Sequence, residues 1–396
     1  MAKVYRVLTL NTISPAGLKR LPAHRYQVGD QVAHPDAILV RSYNMLEMEV
    51  PSSVLAIARA GAGTNNVPVK KMSERGIPVF IAPGANANAV KELVIAGMLL
   101  ASRNIVPALC FTAGLKGDDA TMHKLVEDGK KDYAGTELLG RTVGIVGLGA
   151  VGRLVANAAI GLGMKVIGYD PNITVDAAWS LSSQVKKASG IEELLKLSDF
   201  VTLHVPLVDE TRDLIDAQRV AAMKQGAVLL NFSRDAIVNE DAVIAGLERK
   251  HLRCYVCDFP SNRALSHDGI IALPHLGAST EEAEENCAAM VVEQLRDYLE
   301  HGNIANTVNF PNVSMARESS FRVAIANANV PNMLGQISTA LAKAGINIHN
   351  MTNKSRGEMA YTLVDTDSAL PDAVIAQIAA IPGVLVVRAL PLEADV

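Results

Sequence analysis

Short β-branched apolar runs alternate with amphipathic stretches along most of this chain. From residue 142 the runs TVGIVGL, KVIGYDP, FVTLHVP, AVLLNFS, LRCYVCDF and GIIALP are separated by polar and helical spacers, with helices predicted from Ala150, near 190 to 197 and over 239 to 250. Six strands separated in this way predict a parallel, doubly wound sheet, because parallel neighbours need a crossover and helical crossovers cover both faces. Before this block, VYRVLTL, AILVRS, VLAIARAGAG and IPVFIAPG also alternate with polar spacers and predict a smaller α/β lobe. A helical run from Thr280 to about His301 follows the sixth strand and is expected to return the chain to that first lobe, leaving a cleft between the lobes as the natural site.

Beyond NFPNVSMARESS the pattern changes. FRVAIANANV alternates as a strand, Met333, Leu334, Ile337 and Leu341 fall at helical spacing, and GINIHN, MAYTLVDT, PDAVIAQIAAIPG and VLVVRAL complete a βαββαβ order. The expected division is 1–97 with 281–310 for the first lobe, 98–280 for the doubly wound domain and 320–396 for the tail.

Composition narrows the class. The chain has 396 residues, 49% of them hydrophobic, which supports several packed cores. Its net charge of -4 and scattered Lys and Arg leave no basic field for nucleic acid. No apolar run is long enough to span a membrane, and the first residues lack a secretory pattern, so a cytoplasmic protein is expected. Cys254 and Cys257 form a C-x-x-C inside what reads as a buried strand, so neither a redox pair nor a metal site is expected there.

The chemistry begins at VGIVGLGAVG. Gly147, Gly149 and Gly152 have the G-x-G-x-x-G spacing between a predicted strand and helix, and Asp170 ends the next strand. Such glycines let a backbone approach a pyrophosphate at the helix N-terminus, where Ala150 and Val151 lie, and a carboxylate at the second strand's end suits an adenosine ribose. This is the Rossmann organisation, and Asp170 favours NAD over NADP. Arg234 follows AVLLNFS and His275 follows the last strand, both at carboxyl ends. A guanidinium can hold a carboxylate in a fork, and an imidazole can exchange a hydroxyl proton.

GIVGLGAVG, SDFVTLHVPLVDETRDLI, VLLNFSR and ALPHLGAST occur in the order found in the D-isomer-specific 2-hydroxyacid dehydrogenases, and the chain resembles that family along essentially its full length. The resemblance implies a Rossmann-type nucleotide domain inserted in a flavodoxin-like lobe, followed by a βαββαβ ACT domain, a regulatory module. It implies NAD as cofactor, with His204, Phe232, Asp258 and Gly277 joining the glycine loop and Asp170 as cofactor contacts. Arg234 matches the family's substrate Arg and His275 its acid/base. Arg41, Ser42 and Asn86 match positions that hold a substrate phosphate, and Gly63 offers backbone N–H to the substrate carboxylate. The implied reaction is oxidation of 3-phospho-D-glycerate to 3-phosphohydroxypyruvate, the first step of L-serine biosynthesis, in a homo-oligomer (dimer or tetramer). Asn327, Asn329 and Asn347 match an effector site, with L-serine as the expected ligand between two ACT domains. Two other readings stay open: another D-2-hydroxy acid as substrate, and an NAD-binding sensor of low turnover.

The chain departs from the family pattern in three places. Asp235 replaces the Gly after the Arg, Asn332 replaces the ACT loop Gly, and Asn262 and Arg263 stand where a Glu should partner His275.

Overall fold

The computed structural model describes residues 3–391. The chain divides into two compact units, residues 1–86 with 281–396 and residues 87–280.

The first unit opens with five parallel strands, β1 (Tyr5–Leu10), β2 (Tyr26–Gly29), β3 (Ala37–Val40), β4 (Ala56–Arg59) and β5 (Val79–Phe80), in the order β2-β1-β3-β4-β5. β3 is fully buried, as its run of four apolar residues requires of a central parallel strand. The 21-residue helix Glu281–His301 packs on this sheet through Cys287, Val291, Val292, Leu295, Tyr298 and Leu299.

The second unit holds β6 (Thr142–Val146), β7 (Lys165–Tyr169), β8 (Lys186–Lys187), β9 (Phe200–Leu203), β10 (Ala227–Asn231), β11 (Leu252–Cys257) and β12 (Ile270–Ala272). Their order, β12-β11-β10-β9-β6-β7-β8, is parallel throughout and reverses direction after β6, which is the doubly wound arrangement. β8, a pair of exposed lysines at the sheet edge, carries no apolar alternation and, like β2 in the first unit, is a strand that the pattern did not announce. The helix Ala87–Ser102 belongs to this unit: it packs on the helix Ala150–Gly161, and Gly97 admits the Phe232 ring, Leu230 and Val256.

The tail forms β13 (Phe321–Ala328), β14 (Ile348–Arg356), β15 (Met359–Thr366) and β16 (Val384–Pro391), an antiparallel sheet in the order β14-β15-β13-β16, with the helices Met333–Lys343 and Asp372–Ala379 in βαββαβ sequence. Val323, Ile325 and Val364 face those helices. Ala324, Ala326, Tyr361 and Leu363 face the other way and share a core with Tyr298, Leu299 and Phe310 of the first lobe. Arg322 fastens the junction. It is fully buried, pairs with Asp365 at 2.6 and 2.9 Å, and donates to the carbonyls of His301, Met315 and Ala316.

Candidate active site

The candidate residues fall in both units, and each set is described by itself. In the second unit, the glycine loop is held by its neighbours. Gly147 has φ +90°, and a Cβ there would lie 2.5 Å from the His204 carbonyl oxygen. A Cβ on Gly152 would lie 1.9 Å from the Gly147 carbonyl oxygen, so the helix Ala150–Gly161 can start this close to the strand only with glycine. Gly149 differs: nothing lies within 4 Å of the Cβ it lacks, and as N-cap it provides no side chain to the helix's first N–H groups. Open space before an uncapped helix start, beside Ala150 and Val151, fits a pyrophosphate. Asp170 accepts the Leu148 N–H at 2.8 Å and the Asn172 N–H at 2.9 Å, which ties the end of β7 to the glycine loop.

His204 follows β9, with Nε2 3.0 Å from Thr202 Oγ1. Burial pushes its pKa down to about 3, so the ring is neutral at pH 7. Phe232, expected at the cofactor, is 7% exposed and its ring packs against Gly97; what it offers a ligand is backbone. In β11, burial pushes the Cys254 thiol up to about 12 and raises that of Cys257 as well, which keeps both protonated. Among the described residues no group of three or more His, Cys, Asp or Glu converges as a metal site.

Arg234 and His275 stand on loops at the carboxyl ends of β10 and β12. The Arg234 loop is held by Asn231, a buried residue that sequence reasoning missed. Its Nδ2 donates to the Arg234 carbonyl at 2.7 Å, its Oδ1 accepts the Ser233 N–H at 3.1 Å, and Ser233 Oγ donates to the Leu203 carbonyl. Among the described residues no carboxylate pairs with the Arg234 guanidinium, which suits a group kept for a substrate carboxylate. His275 is exposed and adopts φ +56°. Its ring meets Phe259 edge-on at 5.3 Å, and among the described residues none hydrogen-bonds the imidazole. Asn262 and Arg263 begin a short helix, where Arg263 pairs with Asp241. Asp258, expected at the cofactor, is 1% exposed, and both carboxylate oxygens are taken by the backbone N–H groups of Leu276 and Gly277.

In the first unit, β3, β4 and β5 are neighbours, so Arg41 and Ser42, Gly63 and Asn86 all follow strand ends on one edge of the sheet. Asn66 organises this edge. It donates to the carbonyls of Arg41 and Tyr43 and accepts from Arg59 Nε at 3.0 Å. Arg59, at the end of β4, and Asn66 are further residues that sequence reasoning passed over. Arg41 Nη1 lies 2.6 Å from Glu284 Oε1.

The three amides of the tail are not brought together within one copy. Asn327 lies level with Ala360 and Ser355, whereas Asn347 precedes Ile348, which is level with Thr366 and Phe321 at the other end of the sheet. Asn327 is 1% exposed and its Oδ1 has no hydrogen-bond partner among the described residues, while Asn329 and Asn347 are exposed.

Comparisons with known proteins agree with this geometry. Residues 108–277 match the D-isomer specific 2-hydroxyacid dehydrogenase NAD binding domain. The chain is 30% identical over 403 residues to the D-3-phosphoglycerate dehydrogenase of Escherichia coli (strain K12), covering 96% of this chain and 94% of that protein. It is 34% identical over 327 residues to the D-3-phosphoglycerate dehydrogenase of Methanocaldococcus jannaschii, covering 80% of this chain and 59% of that longer relative. Among solved structures, the NAD+-bound 3-phosphoglycerate dehydrogenase of Entamoeba histolytica superposes with a TM-score of 0.60 at 25% identity, over 77% of this chain and 99% of that one. The chain belongs to the D-isomer-specific 2-hydroxyacid dehydrogenase family, whose NAD-binding domain it carries. Within that family, relatives that it matches over more than nine tenths of its length include proteins named D-3-phosphoglycerate dehydrogenase.

Proposed function

We propose that this protein oxidises 3-phospho-D-glycerate to 3-phosphohydroxypyruvate with NAD, the first step of L-serine synthesis. Gly147, Gly149, Ala150, Val151, Gly152 and Asp170 hold the cofactor, which when bound supplies the acceptor for the hydride leaving C2. Arg234 holds the substrate carboxylate through a charge-assisted fork. His275, neutral, takes the proton from the 2-hydroxyl as the carbonyl forms. Arg41, with Ser42 and Asn86, binds the phosphate, and Gly63 presents backbone N–H to the carboxylate.

The observation that carries the phosphorylated substrate is Arg41. It ends a buried strand with its backbone fixed by Asn66, next to the strand that ends in Arg59. A guanidinium carried on a fixed backbone at a strand's carboxyl end suits a phosphate dianion better than a neutral hydroxymethyl group. The test is NAD reduction with 3-phospho-D-glycerate beside D-glycerate and D-lactate. Turnover confined to the phosphorylated acid is expected; equal rates with D-glycerate would refute the phosphate site, and NAD binding without turnover on any of the three would favour a sensor.

The tail acts as an ACT domain in a homo-oligomer. Asn327 and Asn329 of one copy and Asn347 of another form the L-serine site, since one copy separates them. Self-association also has an apolar surface available in the helix Ile105–Gly114, which buries no residue and leaves Leu109 62% exposed. Sedimentation with and without serine tests both points.

A further inference from the structure

The loop that carries His275 is held by one carboxylate. Asp258, directly after β11, has no exposed surface to speak of. Its Oδ1 accepts the Leu276 N–H at 2.8 Å and its Oδ2 accepts the Gly277 N–H at 2.7 Å, while its own carbonyl shares the His275 N–H, at 3.1 Å, with the Leu273 carbonyl, at 3.0 Å. Three successive backbone donors, at 275, 276 and 277, therefore converge on a single residue. A Cβ on Gly277 would stand 3.1 Å from Asp258 Oδ2, so the loop approaches this closely because residue 277 is glycine.

His275 itself needs such support. A non-glycine residue at φ +56° is held there only when its surroundings over-determine the turn. No side chain among the described residues hydrogen-bonds the imidazole, and the ring contact recorded for it is the edge of Phe259. Where no carboxylate orients the ring, its direction depends on the backbone that bears it.

We infer that Asp258 is a positioning residue for His275: its carboxylate fixes the left-handed turn from which the imidazole is aimed, and its role is exerted through that loop and not on the cofactor. The same residue reaches the Arg234 loop, since its N–H donates to the carbonyl of Asn231 at 3.2 Å. This inference rests on the proposed acid–base role of His275.

Asp258→Asn tests it with little change of shape. The amide can accept at one oxygen, but its NH2 then faces the other backbone N–H, so one anchor becomes a repulsion. The full chain of the variant should lose turnover by about 10-fold or more, with the dissociation constant for NAD changed less than about threefold. In a His275→Ala background the same substitution should cost almost nothing further, because groups that act as a unit do not add. A purely structural lesion would multiply the losses instead. If Asp258→Asn does not fold, Gly277→Ala presses on the same carboxylate and is measured in the same cycle. Undiminished turnover in the Asp258 variant, losses that multiply, or a loss confined to NAD affinity would each overturn the inference. Wild-type turnover in His275→Ala alone would instead remove the acid–base reading on which it stands.

Discussion

The Arg41 guanidinium is already paired: its Nη1 lies 2.6 Å from Glu284 Oε1, across from the start of the Glu281–His301 helix, and both side chains are partly exposed. A phosphate that binds Arg41 must compete with that carboxylate or share the cation with it. Glu284→Gln removes the competitor and keeps the shape. An exposed pair of this kind is worth on the order of 0.2–1 kcal/mol. The KM for 3-phospho-D-glycerate should therefore fall by about 1.4- to fivefold, with kcat nearly unchanged, and Arg41→Gln should raise it by more. Steady-state kinetics decides; a KM that rises in Glu284→Gln would mean that the carboxylate orders Arg41 for the substrate.

His275→Ala should lower turnover by a factor on the order of 10² or more, since it removes the proton acceptor. NAD affinity, read by fluorescence titration, should stay close to that of the parent. Arg234→Lys should also be damaging, because an ammonium cannot reproduce a two-point fork and among the described residues no carboxylate pairs with Arg234. Near-normal saturation by substrate in that variant would count against carboxylate binding.

His204 makes a prediction about pH. Its pKa is pushed down to about 3 in the folded chain, from about 6.5 in an unfolded one, by burial alone. Above pH 6.5 both states are neutral at this residue and the full stability is present. As pH falls from 6.5 toward 3 the unfolded chain takes up a proton that the native ring refuses, so stability is lost at up to about 1.4 kcal/mol per pH unit. His204→Gln should flatten this part of the profile. Urea midpoints at pH 7 and pH 5 for both proteins measure it; equal slopes would mean that the ring protonates in place.

Much of this was legible in the pattern of the chain, and the exceptions share a physical cause. β6, β7, β9, β10, β11 and β12 were visible because buried parallel strands are continuous apolar runs, and the glycine loop because its spacing answers to backbone contacts. Asn66 and Asn231 were not visible. Asn231 bonds to the carbonyl and N–H of its own turn and to Tyr255, Asn66 bonds to the carbonyls of a distant loop and to Arg59, and no periodicity marks an amide that will be satisfied that way. Asp258 read as a cofactor contact because strand ends in such folds face the ligand, but its two oxygens are filled by a loop that begins only after β12. The covered second face of the tail sheet was not visible either: FRVAIANANV reads as an alternating strand, whereas residues 322–327 are all buried, because both faces are packed.

That second face yields the last prediction. Arg322 and Asp365 are wholly buried, and Arg322 also satisfies the carbonyls of His301, Met315 and Ala316, which join the long helix to the tail. The Arg322 guanidinium and the Glu318 N–H hold the Asp365 carboxyl below the usual range against the opposing effect of burial. Breaking such a pair leaves a buried charge alone, at about 3–5 kcal/mol, whereas replacing both partners by apolar groups is often nearly neutral. Asp365→Leu and Arg322→Met should each lower the denaturation midpoint sharply. The double variant Arg322→Met with Asp365→Leu should recover only part of the loss, because three carbonyls stay without their donor whatever replaces the acid. Full recovery would show that the ion pair alone holds the junction, and the remaining deficit, measured in the double-mutant cycle, reads the contribution of the carbonyl contacts.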